Sequence, residues 1–472
     1  MLKYFQIVLA SFVAFFAVKW AYFKILKIAK DSHIVDNPDS RKLQRRPIPV
    51  LGGIAVFFGL IAGILAGASL TYLMNGIPER YLAPVLCASV IMIYTGAMDD
   101  ILGLSPKVRF LIEFFTVLAL IYGSGACIDS FHGLWGIEQF SWWYAVPLTL
   151  FAGVGIINAI NMIDGVNGLC SGLCVVCSIM FGVMFLKVDD IPNAVLAFSL
   201  AASVLPFWFH NVFGKKSRMF LGDAGTMMIG IIMVWFTISA LRSDSSVHLM
   251  AVHKNSSMIA MTLAILSVPV FDTIRVMMLR IFHGKSPFFP DKNHLHHVFI
   301  RAGVSHSVTT IIEISINLMI VAIWALSAKL HAGTDVQLYI VVLTSVLLVW
   351  GLFFFLRIHE KKHTSFMHRL TKFGVKSHFG HTETWLRLEG IMDAPLADEQ
   401  DSFDGDELPG RRQLADFLKG KAEVFVSDIK KRSGVDSEQV DAIVREGVES
   451  GAIRVVRALE DGSPDIITLI EE

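Results

Sequence analysis

The stretch FLGDAGTMMIGIIMVWFTISAL, residues 220–241, begins with an acid between two glycines and continues as a mostly apolar run. From 222 to 241 the run matches the roughly 20 apolar residues that a helix needs to cross the core of a bilayer. A carboxylate at the end of a membrane span is costly to keep near hydrocarbon, so it indicates a site rather than packing. The stretch therefore predicts a membrane helix with a functional acid, Asp223, in its first turn.

The same pattern of an apolar stretch with polar residues at one end recurs up to about residue 357. Three further clusters lie at the ends of such stretches: Asp99–Asp100, Asn158 to Asp164, and His294 to His297. On length and hydropathy we expect about eleven spans, at about 3–25, 49–70, 81–98, 108–123, 143–160, 166–186, 193–212, 222–241, 256–280, 308–330 and 336–357. The sequence thus predicts an all-α polytopic membrane protein with a transmembrane domain over 1–357.

The composition agrees with a membrane protein. Apolar residues make up 54% of the chain and charged residues 17%, and the mean hydropathy is +0.58. This is too apolar for an ordinary soluble domain. The formal net charge of zero indicates no general affinity for nucleic acid, so we expect no nucleic-acid partner.

Basic residues orient the predicted spans, because cytoplasmic loops of membrane proteins carry an excess of Lys and Arg. One set of loops carries Lys24, Lys27, Lys30, Arg41, Lys42, Arg45, Arg46, Lys107, Arg109, Lys215, Lys216, Arg218, Arg280, Lys285, Lys292 and Arg301. The opposite set carries little beyond Arg80, Arg242 and Lys254. All four polar clusters fall in the basic set, which we take as cytoplasmic. An odd number of spans then places the N-terminus outside and the C-terminal tail in the cytoplasm.

The tail has a different character from the spans. Residues 358–409 comprise a basic, His-rich amphipathic segment, expected on anionic lipid, and an acidic linker. The sequence pattern of residues 410–472 predicts three helices and a terminal hairpin around Asp461-Gly462. This arrangement resembles a winged-helix α+β domain. Its third helix carries four acids and one arginine, which favours a protein-interaction or regulatory role over DNA binding.

Two of the clusters suggest binding chemistry. The adjacent carboxylates Asp99 and Asp100 repel each other as anions, so a divalent cation or a shared proton is expected there. In NAINMIDGVNGL, Asn158, Asn161 and Asp164 recur every third residue and so share one side of a helix end. A hydrogen-bonding row of this kind suits a sugar, a base or a diphosphate.

The other two clusters leave alternatives open. Asp223, at the start of a helix, is expected either to cap that helix or to bind a hard cation such as magnesium. His294, His296 and His297 crowd one loop with Arg301, a density that suggests phosphate contacts or proton handling.

Five motifs together resemble a known family. RRPIPVLGGI, Asp99-Asp100 followed by GLSPK, NAINMIDGVNGL, FLGDAG and HLHH are similar to the polyprenyl-phosphate N-acetylhexosamine-1-phosphate transferases, the family of WecA and MraY. FLGDAGTMMIG and the histidine loop are closer to the WecA branch. The resemblance covers about residues 1–357 and does not extend to the tail.

The resemblance implies a reaction and a location. A sugar-1-phosphate, most often that of N-acetylglucosamine, would pass from a UDP-sugar to undecaprenyl phosphate with release of UMP. This step starts a lipid-linked glycan for the bacterial cell envelope at the inner membrane. The expected cofactor is Mg²⁺, with Mn²⁺ as the alternative.

The resemblance also implies roles for individual residues. Asp223 would be the principal metal ligand, supported by Asp100, and Asp99 either a carboxylate near the metal or the base for the lipid phosphate. Asp164, Asn158 and Asn161 would line the nucleotide-sugar pocket. Phe220 would stack on uracil, with Asn211 at the same base. Phosphates would be held by Lys107, Arg46, His294, His296, His297 and Arg301.

One position departs from the family pattern. Asn167 stands in Asp164-Gly-Val-Asn167-Gly where an acid is usual, so a neutral amide replaces a carboxylate. Asn167 is kept as a binding residue, and sugar specificity or metal affinity could differ from other members.

Several alternatives remain open at this point. The donor is expected to be UDP-N-acetylglucosamine, then another UDP-N-acetylhexosamine, then a muramyl-pentapeptide donor. The competing function class is a non-catalytic membrane scaffold or transporter with a regulatory tail. A protein partner for the C-terminal domain and a homodimer are the macromolecular partners considered.

Overall fold

The computed structural model describes residues 2–36, 47–75, 82–245, 247, 257–287, 293–362, 365–366, 369–370, 382–396, 424–426, 440–441, 443–444, 453–458 and 464–469. The chain divides into two compact units, Met1–Ala397 and Asp398–Glu472. The first unit is mostly helical, as predicted from the apolar stretches.

Each predicted apolar stretch contains one helix or a closely spaced pair of helices. The described helices are α1 Leu2–Asp31, α2 Gly52–Asn75, α3 Leu82–Leu102, α4 Pro106–Ser124, α5 Trp142–Met162, α6 Leu169–Lys187, α7 Ile191–Phe213, α8 Gly222–Leu241, α9 Met258–Ile265, α10 Ser267–Phe282, α11 Leu295–Arg301, α12 His306–Lys329, α13 Thr334–Ser345, α14 Leu352–Lys361 and α15 Glu383–Asp393. A π-helical segment, Val346–Gly351, joins α13 to α14. Two short strands, β1 Val35–Asp36 and β2 Ile48–Pro49, pair antiparallel.

The helices confirm a polytopic membrane protein. Within the described residues, 9 helices are long and apolar enough to cross a membrane, or up to 10 if the pair α9–α10, bent by 78°, forms one span. Helix α4, which we predicted as a short span, carries Lys107, Arg109 and Glu113 in its first half and does not meet the same criterion. The count of about eleven spans therefore stays a prediction.

Aromatic residues mark one end of helix α5. Trp142, Trp143 and Tyr144 are all exposed in its first turn, as in the aromatic belts of membrane proteins at the lipid–water interface. The other end of α5 carries Asn158 and Asn161. The polar cluster and the aromatic belt thus lie at opposite ends of the same helix.

Helix α8 is the centre of the first unit. Every residue of α8 except Asp223 is buried, in keeping with a sequence that is apolar all round. Helices α2, α3 and α5 pack against it. The stretch that predicted a membrane span is therefore the innermost helix, and its one partly exposed residue is the acid.

Small residues allow close packing at the first turn of α8. A Cβ added to Gly53 of α2 would lie 2.2 Å from the backbone nitrogen of Gly225, and one added to Gly96 of α3 would lie 2.4 Å from Ala224. Because any larger side chain would push these backbones apart, glycine at both positions brings the ends of α2 and α3 to Asp223.

The second unit contains a three-stranded sheet. Its strands are β3 Val424–Phe425, β4 Ile453–Ala458 and β5 Pro464–Leu469, in the order β3-β5-β4. Strands β4 and β5 pair antiparallel on either side of the predicted Asp461-Gly462 turn. Most of the predicted helices of this domain, and the acidic linker, lie outside the described residues, so the winged-helix assignment stays a prediction.

Candidate active site

A polar cavity of about 440 Å³ lies where α3 and α5 end and α8 begins. It brings together residues from all four predicted clusters. The predicted site residues that line it are Asp99, Asp100, Asn161, Asp164, Asn167, Asn211, Phe220, Asp223 and His297. Chain segments that are more than 190 residues apart in sequence therefore meet at one site.

Asp100 binds the first turn of α8. One carboxylate oxygen accepts a hydrogen bond from the Asp223 N–H at 2.9 Å, and the other accepts one from the Ala224 N–H at 3.1 Å. Gly222 permits this approach, because it has a φ of 73° and an added Cβ would lie 2.5 Å from Asp100 Oδ2. The capping role that we considered for Asp223 belongs to Asp100, which leaves the Asp223 side chain directed to the cavity.

The carboxylate of Asp223 has two kinds of neighbour. It accepts a hydrogen bond from the Asn161 Nδ2, which also donates to Thr226 Oγ1 at 2.8 Å. The guanidinium of Arg109 lies 3.9 Å from the other Asp223 oxygen. Asn161 thus orients the acid, while Arg109 partly neutralises it.

Arg109 was not predicted as a site residue, although it is the cation that links the acids. It donates to Asp99 Oδ2 at 3.1 Å and lies 3.6 Å from Glu113, one turn further along α4. The other Asp99 oxygen accepts a hydrogen bond from the Leu104 N–H at 2.7 Å. An arginine four residues before a glutamate in an otherwise apolar helix was the signal that could have indicated this pair.

Asn158 does not line the cavity. Its side-chain amide donates to Glu113 Oε2 at 2.5 Å and to the Val154 carbonyl at 2.9 Å. Asn158 lies about one helical turn deeper than Asn161, so it meets Glu113 instead of the cavity. Asn158 therefore contacts Glu113, which in turn lies 3.6 Å from Arg109.

Asp164 lies in the turn that follows α5, next to a second acid that we did not predict, Asp36 of β1. Its side chain lines the cavity, where removal from bulk water and, to a smaller extent, the nearby Asp223 and Asp36 carboxylates together raise its pKa to about 7. Like charges gathered without enough cations favour protonation or a bound cation.

The Asn211 side chain and the Phe220 backbone hold the loops on the far side of the cavity. Asn211 Oδ1 accepts a hydrogen bond from the Gly168 N–H at 2.6 Å, and its Nδ2 donates to the Met219 carbonyl at 2.9 Å. Phe220 is fixed by its N–H, which donates to the Pro49 carbonyl at 2.7 Å. Asn211 therefore joins the Asp164 turn to the segment that presents Phe220.

The three histidines have different surroundings. His297 lines the cavity. His296 is buried beside Gly165, where an added Cβ would lie 3.1 Å from its Nε2, and burial together with His297 and His294 lowers its pKa well below the usual value. His296 is therefore neutral at ordinary pH and contributes no positive charge for phosphate.

His294 is held by a buried cluster that the sequence analysis missed. Its Nδ1 pairs with Asp272 of α10 at 2.7 Å, and Asp272 also pairs with Arg275 at 2.6 Å. Arg275 donates to the Asn293 carbonyl at 2.7 Å and lies over the Phe353 ring at 3.5 Å. An acid and an arginine three residues apart inside a predicted span were the available signal.

The remaining predicted phosphate contacts lie elsewhere. Arg301 pairs with Glu360 at 2.8 Å, away from the residues that line the cavity. Lys107 is exposed in the first turn of α4 and is not among the lining residues. Arg46 lies outside the described residues.

The residues present fit a magnesium ion. Among the described residues, no group of three or more His, Cys, Asp or Glu side chains is arranged to hold a metal by itself. Mg²⁺ is nevertheless usually bound through one or two carboxylates together with waters and substrate phosphates. Asp223 and Asp100, adjacent in one open cavity with Asp99 and Asp164, supply that donor set.

The fold and the cavity define the class: a polytopic membrane protein with an acid-lined polar site where several of its helices end. Comparison with known sequences gives a finer assignment. The sequence model of glycosyl transferase family 4 matches residues 82–241, which include Asp99, Asp100, Asp164 and Asp223.

Curated bacterial proteins are similar over a longer range. The chain is 33% identical over 310 residues to a probable undecaprenyl-phosphate N-acetylglucosaminyl 1-phosphate transferase of Bacillus subtilis (strain 168), covering 65% of this chain and 81% of that protein. It is 32% identical over 286 residues to the undecaprenyl-phosphate alpha-N-acetylglucosaminyl 1-phosphate transferase of Escherichia coli (strain K12). This match covers 59% of the present chain and 72% of the Escherichia coli protein. The corresponding protein of Yersinia pestis is 30% identical over 282 residues. The chain belongs to glycosyl transferase family 4.

Proposed function

We propose that the protein transfers N-acetylglucosamine-1-phosphate from UDP-N-acetylglucosamine to undecaprenyl phosphate and releases UMP. The observation that carries this proposal is the cavity in which Asp99, Asp100, Asp164 and Asp223 converge at the ends of membrane helices, in a chain of this family. The similar proteins of Bacillus subtilis and Escherichia coli are named for the same activity.

The geometry suits phosphoryl transfer between a soluble and a membrane-bound substrate. An oxygen of the lipid phosphate must attack the phosphorus next to the sugar of the UDP-sugar, so both groups have to be held in line. Phe220, Asn211 and the Asp164 turn form one wall of the cavity, which would hold the nucleotide. The ends of α3 and α8 form the other wall, within reach of a phosphate carried by a bilayer lipid.

Magnesium, held by Asp223 and Asp100, would neutralise charge on the phosphate oxygens. Arg109 supplies positive charge beside the same acids. Asp99 either accepts the proton of the lipid phosphate or supports the cation. Each Asp99 oxygen already accepts one hydrogen bond, from Leu104 or from Arg109, so acting as a base would use a remaining lone pair of the carboxylate.

Orientation is part of the proposal. The basic loops and the four polar clusters share one face, which we assign to the cytoplasm, where UDP-sugars are made. The N-terminus would then lie outside and the C-terminal domain inside. We also propose that residues 410–472 form a winged-helix-like interaction domain, supported by the paired strands β4 and β5. A cooperative thermal transition of residues 397–472 expressed alone would test that assignment.

The test of the transferase function is UMP release. The purified protein would be mixed with Mg²⁺, undecaprenyl phosphate and each of several UDP-sugars, with Asp223→Asn as the inactive variant. Asp189→Asn is the matched control, because it makes the same chemical change at an exposed residue paired with Lys3 away from the cavity. We expect wild type and Asp189→Asn to release UMP from UDP-N-acetylglucosamine, and Asp223→Asn to release none. Folded wild-type protein that releases no UMP with any UDP-sugar would contradict the proposal and favour a scaffold.

A further inference from the structure

The loop over residues 214–219, which we call the nucleotide loop, connects two walls of the cavity. It begins after α7, which carries Asn211, and ends at Phe220. Its sequence, GKKSRM, contains three cations and one apolar side chain, so it cannot be held by hydrophobic packing alone. A polar contact from beyond the last membrane helix helps to hold it.

That contact comes from Asp393, at the end of α15. Its carboxylate accepts hydrogen bonds from the N–H groups of Lys215 at 3.0 Å, Lys216 at 2.9 Å and Ser217 at 2.9 Å. It also accepts one from the Ser217 hydroxyl at 2.7 Å. Three successive backbone N–H groups around one anion form a nest, a strong and directional arrangement.

The local helix does not explain an acid at this position. A carboxylate in the last turn of a helix is disfavoured by the helix dipole. Partial burial of Asp393 would raise its pKa, but the bonds from Ser217 and from the loop N–H groups outweigh that effect and lower it below the usual value. Asp393 is therefore ionised at neutral pH and bound through the nest.

Helix α15 is itself anchored. Trp385 packs on Phe213 with ring centroids 4.7 Å apart, and Leu396, just after α15, is buried. The hydroxyl of Thr382 caps the helix at the Trp385 N–H. Asp393 therefore extends from a support that is fixed to α7 independently of the nucleotide loop.

The loop transmits this restraint to the cavity. The Ser217 carbonyl accepts a hydrogen bond from the Tyr22 hydroxyl at 2.8 Å. The Ser217 hydroxyl lies 3.1 Å from His210 Nδ1. Two residues later, the Met219 carbonyl accepts a hydrogen bond from the Asn211 side-chain amide. Phe220 is the next residue in the chain. A shift of Ser217 would displace the wall of the cavity that we assign to the nucleotide.

We infer that Asp393 is a positioning residue for the nucleotide: segment 382–396, beyond the last membrane helix, fixes the nucleotide loop and thereby sets the placement of Asn211 and Phe220. The inference rests on the proposed function for the identity of the ligand. It makes the segment before the C-terminal domain part of the transferase site, although no residue of that segment touches the cavity.

The test separates binding from turnover. In the full-length protein, Asp393→Ala is expected to raise KM for the UDP-sugar about tenfold, less than the hundredfold that an ångström-scale misplacement can cost. We expect kcat and the KM for undecaprenyl phosphate to stay within about twofold, and UMP, titrated directly, to bind about tenfold more weakly. Asp393→Asn keeps one acceptor oxygen, so its KM for the UDP-sugar should lie between those of wild type and Asp393→Ala. Arg387→Ala, at an exposed position of the same helix, is the control and should match wild type.

The outcomes distinguish this inference from the proposed function. Wild type that neither binds UMP nor releases it would overturn the proposed function. If wild type is active and Asp393→Ala has an unchanged KM for the UDP-sugar, the positioning role is overturned. A loss in Asp393→Ala that is confined to kcat would overturn it as well. If Asp393→Ala does not fold, Ser217→Ala removes one of the four bonds and is expected to raise the same KM about threefold; an unchanged KM there would overturn the inference equally.

Discussion

Two acid clusters of the first unit differ in charge balance. The cavity acids, Asp36, Asp99, Asp100, Asp164 and Asp223, have one described arginine among them, Arg109, paired with Asp99 and close to Asp223. The Asp272 cluster, Asp272 with Arg275 and His294, matches a single acid to an arginine, an imidazole and the Leu295 N–H.

The difference indicates what each cluster does. A buried acid that is fully paired holds a structure in place and leaves little capacity to bind anything else. Acids that outnumber their cations favour added protons or a bound cation. Burial and, after it, the Asp223 and Asp36 carboxylates raise the pKa of Asp164 in the same direction. This difference supports the proposal that the cavity acids bind a cation with its phosphate ligands, whereas the Asp272 cluster positions the histidine loop.

The sharpest test of the comparison is Asp223→Asn. We expect a loss of UMP release of at least about 10³-fold, because a carboxylate that would bind the cation becomes a neutral amide. The thermal unfolding temperature should not fall, since removing one of several repelling acids relieves repulsion. Activity within tenfold of wild type would exclude Asp223 as the main cation ligand.

Arg109→Ala should have the second largest effect. Removing the one described cation among the cavity acids is expected to lower kcat/KM about 10²-fold, with Arg109→Lys retaining part of the activity. The measurement is UMP release as a function of Mg²⁺ concentration. If Arg109 only fills space, Arg109→Gln, which removes the charge and keeps much of the volume, should be as active as Arg109→Lys.

Asp272→Asn tests the other side of the comparison. It leaves Arg275 as an uncompensated buried charge, so we expect a loss of about 3–5 kcal/mol in the free energy of unfolding. Activity at a temperature where the variant is folded should fall about tenfold, through His294. The double variant Asp272→Asn with Arg275→Gln should recover part of the stability. A variant as stable as wild type would show that Asp272 is not a structural acid.

The sequence predicted the elements of the site better than its connections. Apolar runs that end in Asp99-Asp100, Asn161, Asp164 or Asp223 were sufficient to predict that these residues share one face, where the structure brings them into one cavity. Arg109 and Asp272 were missed, since a single charge inside an apolar run does not show which helix it faces. The contact of Asp393 with Ser217 spans 176 residues and has no local pattern at either end.

Asn167→Asp should have the smallest effect and decides whether the departure from the family pattern matters. The backbone of Asn167 is held by the His306 Nδ1, 3.3 Å from its N–H, and by the Thr310 hydroxyl, which donates to its carbonyl at 3.0 Å. Both contacts are independent of the side chain, so the turn should keep its shape. A sixth acid at the cavity should lower the half-saturating Mg²⁺ concentration about threefold, an effect of about 0.6 kcal/mol, with kcat within about twofold. A large loss of activity at every Mg²⁺ concentration would instead mean that the Asn167 amide contacts the sugar, and that the cavity needs a neutral group at this position as much as it needs its acids.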